Sequence, residues 1–214
     1  MKRHLGTSLI ASLAVLVFGL CSTNASAQTV IHLEDFTVNQ TPLFDFGAFA
    51  GNTSFSPLGL LTNIPASADS FGGIGVAPLA PVDLTGTTSI ELTAQVEPGN
   101  MSAIVVSIRE AADAAGVIGE FFSFTVPASA FAGGGFQTVS IDPTSGFNGD
   151  TTNGILDGPL DNSGVQTPFG GVDSQSFTVQ SIAFLGDAPA VPEPGSLVAL
   201  LSLGTVAALR RRRA

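Results

Sequence analysis

Between Ser89 and Glu97 the chain reads SIELTAQVE, and every second residue is apolar. Ile90, Leu92, Ala94 and Val96 alternate with Glu91, Thr93, Gln95 and Glu97. That is the period of a strand with one face in a core and the other in water. A helix would scatter the four apolar side chains around its circumference. Pro98-Gly99 follows as a turn pair, and Ala103 to Arg109 (AIVVSIR) is expected to return as the partner strand. Ile104, Val106 and Ile108 then face inward, which sends Arg109 outward. Phe121 to Val126 (FFSFTV) repeats the pattern, with Phe122, Phe124 and Val126 on one face. Phe136 to Ile141 (FQTVSI) and Val30 to Phe36 (VIHLEDF) read as further strands. In Phe177 to Leu185 (FTVQSIAFL) the apolar register slips between Val179 and Ile182, as at a bulge. The chain is therefore all-β, an antiparallel two-sheet β-sandwich.

Other stretches carry weaker patterns. Thr37 to Pro81 holds glycines, prolines and unevenly spaced phenylalanines, and is expected to form short strands and long loops. Glu110 to Gly119 is an Ala-rich connection. Asp142 to Asp173, rich in Gly, Asp, Asn and Pro, reads as a long loop region of the kind that is functional or mobile.

The two ends address the chain for export. Met1 to His4 is basic, Leu9 to Leu20 is apolar, and Ala25-Ser26-Ala27 supplies small residues for cleavage before Gln28. This is a secretory signal peptide over residues 1–27, cut by signal peptidase. The lone cysteine, Cys21, falls inside it, so disulfide and thiol chemistry are excluded from the segment that remains. At the other end, residues 189–214 comprise a linker, Val191-Pro192-Glu193-Pro194, an apolar run from Gly195 to Leu209, and Arg210, Arg211, Arg212 and Arg213. Two prolines in three residues keep the tetrapeptide extended, and the arginines favour the cytoplasmic side of a membrane. As a helix the run of 15 residues spans about 23 Å, short of a hydrocarbon core of about 30 Å. A plain membrane anchor is the alternative. The order of features closely resembles the PEP-CTERM sorting tail of exosortase-processed bacterial proteins. The resemblance implies that a membrane-embedded exosortase recognises Pro192-Glu193-Pro194 and cuts nearby, so that an inner-membrane precursor is delivered to the cell surface or extracellular matrix.

Between these signals, Gln28 to Ala190 carries 16 acidic residues against one arginine, Arg109, a net charge of −15. Such a surface repels nucleic acid and anionic lipid. The phrases DLTGTTSIELTAQV, AIVVSIRE, FFSFTVP, GGFQTVSIDP and FTVQSIAFLGD resemble the galactose-binding-like jelly rolls of carbohydrate-binding modules. The resemblance implies a sandwich of about 8 to 10 strands over residues 28–188. Such jelly rolls often hold a structural calcium ion between first and last strands. Glu34 and Asp35 at the end of the first strand, and Asp187 after the last, are the candidate ligands. A second acid group, Asp150, Asn153, Asp157, Asp161 and Asn162, lacks EF-hand spacing.

Catalytic chemistry finds few residues. His32 is the sole histidine after the signal and is expected on the strand face opposite Ile31 and Leu33. No carboxylate lies in an apolar context that would mark a general acid. The chain has neither Trp nor Tyr for sugar stacking, though it has 16 Phe. The first reading is a non-enzymatic, exported protein of the cell envelope or biofilm matrix, among exopolysaccharide. The second is a carbohydrate- or calcium-dependent binding module, marked by a Phe-lined groove with convergent polar groups. The third is a hydrolase, marked by two facing carboxylates in a pocket. If the tail is a processing signal, mass spectrometry of surface-delivered protein will show no Arg210 to Arg213; an intact arginine tail would leave a plain anchor.

Overall fold

The computed structural model describes residues 28–38, 42–65, 71–97, 103–111, 119–149, 153–168 and 175–187. The signal segment, the sorting tail and the helices expected in them, Pro98-Gly99, and most of the Ala-rich connection lie outside the described residues. Among the described residues, twelve strands fall in two six-stranded sheets, and every pairing is antiparallel. The two-sheet sandwich is as expected, with more strands than expected because several are very short.

The first sheet holds β1 (Gln28–Asp35), β3 (Thr53–Ser56), β4 (Gly59–Ile64), β6 (Thr87–Val96), β9 (Gln137–Ile141) and β12 (Gln175–Asp187). Its order is β3-β4-β12-β6-β9, with β1 also paired to β12. The second holds β2 (Phe44–Gly47), β5 (Gly72–Val76), β7 (Ala103–Glu110), β8 (Phe121–Pro127), β10 (Phe147–Asn148) and β11 (Leu160–Gln166), in the order β10-β8-β7-β11-β5-β2. Ile90, Leu92, Ala94, Ile104, Val106, Ile108, Phe122, Phe124, Phe177, Val179, Ile182 and Phe184 meet in one core. The alternation read from the sequence is the inner face of both sheets.

Three expectations are corrected. β6 and β7 do not form a hairpin: both edges of β6 are taken by β12 and β9, and β7 lies in the other sheet. Their apolar faces meet across the sandwich. The supposed loop region from Asp142 contains β11, a central strand between β7 and β5. Its inward residues include Ser163, opposite Ile108, so a polar composition hid a buried strand. His32 does not face away from the core. A register shift at Ile31 sets His32 opposite Phe184 and Glu34 opposite Ile182, and leaves Leu33 exposed. A bulge inserts one residue and thereby exchanges the faces that follow it.

The expected slip in β12 is present, between Val179 and Ser181. It keeps Phe177 and Val179 before it, and Ile182 and Phe184 after it, on the same inner face. Leu92 is fully buried, so Leu92→Ala is expected to cost about 2 to 5 kcal/mol. Glu91→Ala, on the outer face, is expected to change stability by no more than about 0.5 kcal/mol. Chemical denaturation of both variants measures the difference; equal losses would contradict the assignment of faces.

Candidate functional site

A groove of about 450 Å³ lies between one edge of each sheet. It forms because two strands stop pairing. β10 covers β8 only at Phe122 and Ser123, so Phe124 to Pro127 has no strand beyond it among the described residues. β9 pairs with β6 on one side, and its other edge is unpaired among those residues. Backbone N–H and C=O groups along two free edges therefore line the groove. Ser123, Thr125, Ser140 and Ser145 line it as well; the Ser140 hydroxyl is bonded to Ser89 Oγ at 2.8 Å, and that of Ser145 donates to Asp142 O at 2.7 Å. Asp142 lines the wall as well, and its carboxylate accepts from Thr144 Oγ1 at 2.7 Å and from Thr144 N at 2.8 Å. These bonds hold the Asp142 carboxyl below the usual carboxylate range, the hydroxyl contributing most. Phe147, 70% exposed, stands at the groove with its ring in solvent. An exposed aromatic plane beside polar residues and a carboxylate can bind a polyhydroxylated chain by stacking and hydrogen bonding.

The expected calcium ligands are not brought together. β1 and β12 run antiparallel, with Gln28 opposite Asp187 and Asp35 opposite Ser181. Asp187 thus lies about 20 Å from Asp35 along the strand pair, and the three acids cannot share one ion. Each has other surroundings. Glu34 is buried and sits 2.7 Å from His32 Nε2. Asp35 accepts from Thr37 N and Oγ1. No group of three metal-ligating side chains occurs among the described residues. His32 and Glu34 line a smaller, mostly apolar pocket of about 290 Å³ with Val38, Leu79 and Val82. In the second acid group, Asp157 accepts from Asn153 and Asp161 from Asn162.

A different acid pair is the least expected feature. Glu110 and Glu120 are 5% and 3% exposed. They end β7 and precede β8 as cross-strand neighbours, with Glu110 N donating to Glu120 O at 2.9 Å. Glu110 Oε1 accepts from Asp157 N at 2.8 Å and Gly158 N at 2.6 Å. Glu120 Oε1 accepts from Gly154 N at 3.0 Å. Two carboxylates thus clasp one loop. Burial raises the Glu110 pKa above its ordinary value, the two loop amides pull it back, and the charges of Asp157 and Glu120 push it further up. Both were findable by carrying the alternation one step further. Glu110 continues Ile104, Val106 and Ile108, and Glu120 precedes Phe122, Phe124 and Val126 in the same phase. The loop covers both. With Asp187 remote from Glu34 and Asp35, Asp187→Asn is expected to leave any calcium response of the melting temperature unchanged, read against sodium chloride of matched ionic strength.

The comparisons with known proteins bear on the tail and on the fold separately. Residues 190–213 match the family described as a PEP-CTERM protein-sorting motif. No curated protein matches the chain. Among solved structures, it is similar to PfGH50B at 12% identity and a TM-score of 0.47, covering 76% of this chain and 24% of that one. It is similar to the family 11 carbohydrate-binding module of the cellulosomal cellulase Lic26A-Cel5E of Clostridium thermocellum, at 12% identity and a TM-score of 0.47. That alignment covers 79% of this chain and 99% of the module. The xylan-binding module CBM15 aligns at 13% identity and a TM-score of 0.42, over 77% of this chain and all of that one, 100%. The two-sheet architecture rests on the strand pairing itself, and the C-terminal segment carries the PEP-CTERM sorting motif of an exported protein.

Proposed function

We propose that this chain is an exported, non-catalytic protein of the cell envelope or biofilm matrix that binds neutral polysaccharide in the groove between β8 and β9. The observation that carries the reading is Phe147. A large apolar ring left 70% exposed beside a groove of hydroxyls and free strand edges gains nothing for folding. It gains contact area when a sugar ring stacks on it. The hydroxyls of Ser123 and Thr125, with the Asp142 carboxylate, offer donors and acceptors to successive sugars. The choice of neutral glycan follows from charge. Sixteen acids against one arginine between Gln28 and Ala190 repel uronic acid and sulfated chains.

The reading as a binding protein and not an enzyme is supported by the use made of its buried acids. Glu110 and Glu120 hold backbone amides beneath a loop, and Glu34 is engaged by His32. In this reading an exosortase processes the tail and the sandwich is delivered among exopolysaccharide. Affinity gel electrophoresis in soluble neutral polysaccharides tests the groove. Phe147→Ala is expected to weaken retention by about 1 kcal/mol, roughly fivefold. Leu58→Ala, another exposed apolar residue but at the turn joining β3 and β4, is expected to change nothing. Equal retention of both variants, or no retention of the parent protein on any neutral glycan, would overturn the assignment.

A further inference from the structure

We propose that Glu110 carries a proton toward the orphaned oxygen of Glu120, and that this proton latches the loop from Asn153 to Gly158 onto the sheet. Each carboxylate uses a single oxygen, Oε1, for the loop amides. Glu120 Oε2 is buried and has no hydrogen-bond partner among the described residues. An orphaned carboxylate oxygen in a dry site is costly. Beside it stands a second buried carboxylate, its cross-strand neighbour, with Cβ atoms separated by about 5 Å in such pairs. A proton on Glu110 would supply the missing donor and remove one of two buried like charges. Among the described residues, the other groups facing the pair offer no substitute. Asp157 lies on the loop itself. The described adjoining segments contribute Asp83, bridged to Pro159, and Asp161 on β11. All are acidic. Arg109 points to the opposite face of β7, over the Phe121 ring at 5.9 Å.

The latched loop has little other support. Its remaining ties are Leu84 N to Gly158 O, Thr85 Oγ1 to Asp157 O, and the buried side chain of Leu156. The sign follows from the direction of the Glu110 shift. A folded-state pKa above the ordinary value of 4.5 means that the latch's stability is full below that value. It is lost as pH rises through the folded-state pKa. Loss of the latch frees the chain at Asn153, five residues beyond the end of β10, whose Phe147 stands at the groove. That consequence for binding rests on the groove reading above; the latch itself does not.

Amide hydrogen exchange of the intact protein tests it without any glycan. Protection factors at Gly154, Asp157 and Gly158 are followed from about pH 4 to about pH 8, corrected for intrinsic exchange. In the parent protein they are expected to fall with rising pH, about tenfold for each unit by which the pKa is raised. In Glu120→Gln the amide keeps an oxygen for Gly154 N and supplies a permanent donor to Glu110, so protection is expected to be independent of pH. Glu110→Gln, which keeps the acceptor for two loop amides, is expected to behave likewise. A pH-independent parent, or a fall that persists in both glutamine variants, overturns the proposal. So does protection at high pH that calcium restores in the parent but not in Glu120→Gln, with salt matched, since a cation would then be the latch. If exchange behaves as expected while Phe147→Ala leaves glycan retention unchanged, the latch stands and the groove reading falls.

Discussion

The structure depends on one long strand and the kink within it. β12 pairs with β6 along nearly its whole length, with β4 over its first half and with β1 over its second. Two short strands laid end to end thereby share one partner. The bulge between Val179 and Ser181 makes this work. It re-aims the second half of β12 so that Ile182 and Phe184 fall on the face already occupied by Phe177 and Val179. The carbonyl of Gln180, released from the ladder, accepts from Phe36 N at 2.9 Å just beyond β1. On the β4 side, Gly59 has φ +129, and a Cβ there would lie 2.2 Å from Val179 O. A side chain at that position would push β4 off the sheet. The bulge, the glycine and the phenylalanine are one device.

The second sheet has a comparable centre made of absent side chains. A Cβ on Gly164 of β11 would lie 2.0 Å from Ile74 O, and one on Gly75 would meet the Phe44 ring at 2.4 Å. β5 and β11 thus approach closely, and aromatic rings from β2 cover the outer surface of β5. Phe44, Phe46 and Phe71 form an edge-and-tilt cluster there, with ring centroids 6.0 and 5.6 Å apart. Small residues in β11 are a packing requirement, and they are also why its strand signal is faint.

Charge is managed by position. With a single arginine between Gln28 and Ala190, ion pairs cannot neutralise the acids. Most of the described acids stay in water, several folded back on a neighbouring threonine hydroxyl, as at Asp35 and Asp142. The three that are buried each have a defined donor: Glu34 has His32, and Glu110 and Glu120 have the amides of one loop. Such burial is tolerable where hydrogen bonds replace water, and it ties the acid pair to the segment that follows β10.

The sequence by itself determined the period. Alternation in β6, β7 and β8, the slip in β12, and the sorting tail were all legible, because each is a property of neighbouring residues along the chain. The inward phase of Glu110 and Glu120 is in the sequence too, through the apolar residues that share it, although no carboxylate was expected in an apolar context. What only the tertiary structure decided is who meets whom. β6 and β7 look like a hairpin until β12 and β9 are seen to occupy both edges of β6. Glu34, Asp35 and Asp187 look like one ion's ligands until antiparallel register sets them at opposite ends of β1. β11 became a strand because β7 and β5 each left an edge for it, with no room for a side chain at Gly164. Alternation is local and survives any arrangement of strands. Strand order and register are non-local, set by the competition of all the faces for one core, and through them the groove and the acid pair came into being.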